Sequence, residues 1–168
     1  MSTAAPVPPR TEAKPQPLLI GIGNRLRGDD GAGPQLIDAL AADGDSRLQT
    51  LAVHQLTPEL AAVVAGASAV LFVDASLVQP RLALTAITAA APGAGTRNPG
   101  HGGGCFSHQL TPAQLLALSR AVYGAQPPAW QLLIPAERLE PGGALSPTTR
   151  SAIAVALRLL RRWRARHA

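Results

Sequence analysis

The chain is poor in aromatic side chains: two Phe, two Trp and one Tyr in 168 residues, 3% of the total against 46% apolar residues. Its core must therefore be assembled from Ala, Leu, Val and Ile. There is one cysteine, Cys105, which excludes an internal disulfide. There is one lysine, Lys14, so the positive charge is almost all arginine. No apolar run is long enough to span a bilayer: the longest, residues 60–73, is rich in Ala and Gly and stops at Asp74. The first residues, MSTAAPVPPRTEAKPQP, lack an apolar h-region and a twin arginine, so no secretory signal is expected. The expectation is a cytoplasmic protein with no membrane partner. No HExxH string is present, which excludes the zincin type of hydrolase, and no GxGxxG or GK[ST] string supports a phosphate cradle.

The formal net charge of +5 suggests nucleic acid at first sight, but five of the fifteen basic residues lie between Arg158 and Arg166. The remaining ten are matched by ten acidic residues, so the body of the chain is neutral. Basic residues at a helix end complement the helix dipole, and no aromatic stacking platform accompanies them, so nucleic acid is not expected as a partner.

The stretch around which the chain is organised is LLIGIGNRLRGDDGAG, residues 18–33. An apolar run ends in glycines, a loop carries Asp29 and Asp30, and a helical pattern follows with Leu36, Ile37 and Leu40 on one face. Strand, loop and helix in this order open an α/β domain. Ligands of open α/β sheets bind at the carboxyl ends of the strands, where both acids fall.

Residues 1–16, rich in Pro and Ala, read as a disordered segment, and residues 17–168 as a single domain with a basic C-terminal helix end. Strands are expected over residues 17–22, 48–53, 69–73, 81–89 and 130–134. Helices are expected over 31–42, from Thr57-Pro58 to 65, from Thr111-Pro112 to 123, and from Ser146-Pro147 into the tail; each Ser or Thr is an N-cap with Pro at the first helical position. Only about six residues join the third and fourth strands, too few for a helical crossover, so the fourth is expected antiparallel at or near an edge. Residues 91–104 form a glycine-rich loop of a length that is usually functional, with a lid-like role. The fold class is α/β, a three-layer α/β/α sandwich with a mixed, mainly parallel five-stranded sheet. The string HQLTP occurs twice, at His54 and at His108; two similar junctions before a helix explain it without a duplication.

Three polar residues fall near element ends: Asp30, Asp74 and His108. Two carboxylates and an imidazole suit a divalent metal such as nickel or zinc, although each also has an ordinary alternative. Asp30 serves equally as the N-cap of the first helix, Asp74 as a strand-end turn former, and His108 as a loop histidine.

The motif Gly21-Ile-Gly23-Asn24-Arg-Leu26-Arg-Gly-Asp29-Asp30-Gly-Ala-Gly33 resembles that of the hydrogenase maturation endopeptidases. So do the buried strand LFVDA ending at Asp74 and the segment SHQL at His108. The resemblance covers about residues 17–160, and the C-terminal part looks like the branch serving bidirectional, NAD-linked hydrogenases. It implies a nickel-dependent endopeptidase that removes the C-terminal extension of a [NiFe]-hydrogenase large-subunit precursor after nickel insertion. It further implies that Asp30, Asp74 and His108 bind the nickel, carried by that precursor. Asp30 also enters the catalytic set; Asp29 is either the water-activating base or a residue that orients the loop. Asn24 and His54 are assigned to substrate contact, and a monomer is expected. Many relatives carry Asp-Gly-Gly-Thr where this chain has Val53-His54-Gln55-Leu56, so the role of His54 cannot be copied from them. Cys105 lies three residues before His108, but a small apolar filler is preferred to a nucleophile. The competing functions are a non-catalytic nickel-sensing chaperone of the precursor and a nucleotide- or phosphate-binding α/β protein.

Overall fold

The computed structural model describes residues 14–91 and 110–168. Five strands form one sheet: β1 (Leu18–Ile22), β2 (Gln49–Val53), β3 (Val70–Ser76), β4 (Ala83–Ile87) and β5 (Ala129–Pro135). Their spatial order is β2-β1-β3-β5-β4. All neighbours run parallel except β4, which pairs antiparallel with β5 at the edge. The four helices are α1 (Ala32–Ala41), α2 (Leu60–Ala65), α3 (Pro112–Tyr123) and α4 (Pro147–His167).

Strand alternation sorts the apolar side chains into two layers. Leu19, Leu71, Val73, Leu132 and Ile134 pack on one face with Leu36, Leu40, Leu160 and Trp163 of α1 and α4. Leu18, Ile20, Ile22, Val70 and Phe72 pack on the other with Val64, Leu115 and Leu116 of α2 and α3. The architecture is the expected three-layer α/β/α sandwich. With few aromatics to spend, Phe72 sits fully buried on a central strand, and aliphatic side chains make up most of the rest of the core.

Helix α3 begins at Thr111, whose side chain accepts from the Gln114 N–H while the Gln114 side chain accepts from the Thr111 N–H, a complete capping box. Gly124 closes it in the left-handed conformation, φ 68°. Helix α4 begins at Ser146, which accepts from the Thr149 N–H. Ala156, Leu160 and Trp163 repeat at helical spacing on its buried face.

Four expectations need correction. Helix α2 starts at Leu60 and not after Thr57, because Leu60 N donates to Thr57 O and Ala61 N to Pro58 O, a tighter i→i+3 turn. Strand β3 runs two residues past Asp74, because Asp74, Ala75 and Ser76 stay in register with Leu133, Ile134 and Pro135 of β5. Asp74 is therefore a strand residue and not a turn former. Asp30 is not the cap of α1: Gly31 holds that place, with no side-chain capping bond. Gln16, assigned to the disordered segment, is tied down, its carbonyl accepting from Ser68 N and its side chain donating to Ser46 O. Residues 1–13, and the loop with His101, Cys105 and His108, lie outside the described residues.

Candidate active site

Strand β1 has β2 on one side and β3 on the other; α1, which follows β1, packs on one face of the sheet and α2, which follows β2, on the opposite face, so the direction of winding reverses at β1. That reversal opens a crevice at the carboxyl ends of the strands. A cleft of about 290 Å³ occupies it, bordered by Ile22 and Gly23 at the end of β1, His54 after β2, and Asp74 on β3. Asn24, Arg27 and Asp30 come from the loop after β1, and Leu139 closes the outer side.

The loop owes its shape to close backbone approaches. A Cβ on Gly23 would stand 1.9 Å from the carbonyl oxygen of Asp30, and its φ of 134° is one that other residues rarely adopt. A Cβ on Gly21 would meet Ile37 and the Gly33 carbonyl within 2.6 Å, and one on Gly33 would meet Ile22 O at 2.5 Å. The GxGN…DDGxG spacing thus lets α1 lie directly on β1 and folds Asp30 back over Gly23. Asn24 N donates to Asp30 Oδ2 at 2.9 Å, fixing that carboxylate at the mouth of the cleft. Arg25 pins the loop to α1 through Asp38 and the Pro34 carbonyl.

Asp74 points to the same face as Val70 and Phe72, into the cleft. Burial pushes its carboxyl up to about 7; the Ala75 N–H opposes this and the neighbouring charge of Asp30 adds to it. A buried carboxylate with a second one beside it forms a donor set that a divalent cation would relieve, and carboxylate oxygen suits a borderline metal when imidazole completes the set. Among the described residues no group of three or more His, Cys, Asp or Glu side chains comes together to hold a metal ion. Of the expected trio, Asp30 and Asp74 meet in one cleft, and His108 lies outside the described residues.

Asp29, next to Asp30, has a different fate. It is 0% exposed and does not line the cleft. Its Oδ1 accepts from Ser146 N at 2.6 Å, and its Oδ2 from Glu137 N at 2.8 Å and Arg138 N at 3.2 Å. Burial raises its pKa, but these amides outweigh burial and hold it below the usual carboxylate range. The expectation of Asp29 as a water-activating base is at odds with these surroundings, because both oxygens accept from backbone amides and the side chain is not among those that line the cleft.

His54 and Asn24, the residues assigned to substrate contact, both border the cleft. The Asn24 side-chain oxygen accepts from Leu26 N at 2.9 Å, so that atom serves the loop. Both residues, with Gly23, also border a second, more apolar hollow of about 290 Å³ walled by Leu26, Pro34, Ala52 and Val53. Arg27 and Leu139 had no signal in the sequence. Arg27 Nε donates to Leu139 O at 3.1 Å, a contact between residues 112 positions apart that no local pattern announces.

No protein-family model matches the chain, and neither does any curated protein. Solved structures do. The hydrogenase maturating endopeptidase HybD from E. coli aligns over 86% of this chain and 89% of its own at 21% identity and a TM-score of 0.64. The [NiFe] hydrogenase maturation protease HycI from Thermococcus kodakarensis KOD1 aligns over 92% and 95% at 15% identity and a TM-score of 0.66. The hydrogenase 2 maturation peptidase from a Thaumarchaeota archaeon aligns over 88% and 96% at 21% identity and 0.60. The chain is similar to each of these over almost the whole length of both partners, and its fold is that of the hydrogenase maturation endopeptidases.

Proposed function

We propose that this chain is an endopeptidase that removes the C-terminal extension of a [NiFe]-hydrogenase large-subunit precursor once nickel is in place. The observation that carries the reading is the meeting of Asp30 and Asp74 in one cleft at the β1/β3 reversal, on a fold shared with the hydrogenase maturation proteases of E. coli and Thermococcus kodakarensis. In this reading nickel arrives with the precursor as part of the substrate. Asp30, Asp74 and His108 contact it, so the enzyme recognises the completed insertion step. The metal supplies a Lewis acid and a recognition mark.

The chain's own groups do the rest. In this reading Asp30, with one oxygen held by Asn24 N–H, takes the proton of the attacking water on its other oxygen, as an aspartic-type endopeptidase would. Asp74 exchanges a proton near neutrality while the cleft is empty and becomes carboxylate when a cation enters. His54 and Asn24 border the path of the peptide. The enzyme works as a cytoplasmic monomer on the precursor of a bidirectional, NAD-linked hydrogenase. Among the described residues no helix is long and apolar enough to cross a membrane.

Mass spectrometry of a co-expressed large-subunit precursor, nickel-loaded and nickel-free, tests the reading. Loss of a C-terminal peptide only with nickel, and not with His108→Ala, is the expected result. An intact, nickel-loaded precursor that nevertheless binds the protein would make it a chaperone.

A further inference from the structure

The segment from Glu137 to Ser146 belongs to neither a strand nor a helix, yet it is fastened to the loop after β1 by five bonds to the Asp29 carboxylate or between backbones, and by side-chain bonds besides. Three are the amides of Glu137, Arg138 and Ser146 on the Asp29 carboxylate. The other two run backbone to backbone: Asp29 N donates to Arg138 O at 3.1 Å, and Gly142 N to Leu26 O at 2.8 Å. Arg27 Nε adds a bond to Leu139 O. The carboxylate is the centre of this junction: one buried side chain collects donors from both ends of the segment, including the amide at the cap of α4.

We infer that Asp29 is a positioning residue: it clamps residues 137–146 onto the loop that carries Asp30 and thereby sets the outer wall of the cleft, where Leu139 sits. The inference rests on the proposed function for the reaction it serves, but the clamp can be read without it. Apart from the Ser146 hydroxyl, which also bonds Asp29, the segment uses its backbone in this junction. The side chains of Arg138 and Glu140 are therefore left exposed beside the Leu139 wall, available to a peptide substrate. Asp29 and Asp30 divide the labour of adjacent carboxylates. One faces inward and fixes distances, and the other faces the cleft and does chemistry. A carboxylate suits the inward place because it offers lone pairs to three amides and has no donor of its own.

The test is Asp29→Asn in the full chain, read by amide hydrogen exchange and by cleavage kinetics on nickel-loaded precursor. Asn turns one acceptor into a donor facing an amide. Exchange at Glu137, Arg138 and Ser146 should then accelerate about tenfold or more, with the amides of β3 unchanged. KM should rise more than kcat falls, because the wall is displaced while Asp30 and Asp74 remain. Asp30→Asn should leave the three amides protected.

Unchanged exchange in Asp29→Asn overturns the clamp. Faster exchange with unaltered cleavage reduces it to a structural clasp without bearing on the site. A loss confined to kcat with protection intact returns Asp29 to the chemistry. If Asp29→Asn does not accumulate folded, the wild-type protein decides. Its three amides lie outside regular structure, so protection there supports the clamp and free exchange overturns it. Failure of wild-type protein to cut any precursor would sink the proposed function and leave the exchange result standing.

Discussion

Two groups of acids lie in very different company. Asp43 and Asp45, in the turn after α1, are ringed by arginines: Arg161 and Arg164 reach Asp43, and Arg47 and Arg164 reach Asp45. Hydrogen bonds from Arg47 hold Asp45 down to about 2. Asp30 and Asp74, at the carboxyl ends of the central strands, make no ion pair among the described residues. Asp74 is pushed up to about 7 by burial. The first arrangement is complete within the chain and ties the end of α4 to the body. The second leaves negative charge in a low-dielectric place, a cost to the fold that makes sense where a cation or a proton takes part in the work. Two of the five arginines of the tail, Arg161 and Arg164, are engaged by this turn.

Four experiments break or sharpen this contrast. The largest effect is expected in cleavage: Asp30→Asn or Asp74→Asn should lower kcat/KM on nickel-loaded precursor by about 10³-fold or more, whereas Asp43→Asn should leave it within about twofold. Equal losses from both groups would erase the distinction. Next, Gly23→Ala should destabilise the protein by about 3 kcal/mol or more in urea unfolding, because the new Cβ meets the Asp30 carbonyl and the backbone is left-handed. An effect near that of a surface Gly→Ala would show that the loop relaxes freely.

Third, the metal-free protein should have opposite pH signatures at the two groups. The folded-state pKa of Asp74 is raised, so the stability it contributes is full below its ordinary value of 3.8 and is lost as pH climbs to about 7. Asp74→Asn should therefore be stabilising by about 1–2 kcal/mol at pH 8, discounted for partial exposure, and neutral near pH 3.5. Asp45 is depressed, so its contribution is present above 3.8 and fades as pH falls through about 2. Asp45→Asn should lower the melting temperature at pH 7 and do nothing near pH 2. Matching signs at the two sites would refute the contrast. The smallest effect belongs to Asp43→Asn: a slight fall in melting temperature that disappears in high salt, as exposed ion pairs do.

Much of the fold could be read because it depends on local signals. Thr111-Pro112 and Ser146-Pro147 cap their helices where the chemistry of the two residue pairs says they should. The AVLFV run marked a strand buried on both faces, and the short connection after it forced β4 to turn back. The meeting of Asp30 and Asp74 in one cleft was legible for a related reason: a strand's carboxyl end is a local feature with a known place in an α/β sheet. The same Thr-Pro signature misled at Thr57, where a tight i→i+3 turn delays the helix. Asp74 lies inside its strand because pairing with β5, fixed by residues 59 positions later, carries β3 onward.

The environment of Asp29 was beyond sequence reading altogether. Its partners stand more than a hundred residues away and present mainly backbone N–H, a group every residue but proline carries. Two adjacent aspartates look alike as letters, and the direction each faces is settled by Gly23 and by the segment that closes over the loop.

The two tryptophans have a practical consequence. Trp130 on β5 and Trp163 on α4 stand 5.9 Å apart, edge to face, with His167 stacked on Trp163 at 4.6 Å. They lie on the α1/α4 side of the sheet, away from the face that Asp74 shares with Phe72. With only these two indoles in the chain, intrinsic fluorescence is a local gauge of how firmly the last helix is seated. Excitation shared between such close neighbours, and their contact with the stacked imidazole, will dominate the signal. A titration of the cleft followed by native emission will be nearly blind, and an indole introduced at Leu139 would give the wall its own optical reporter.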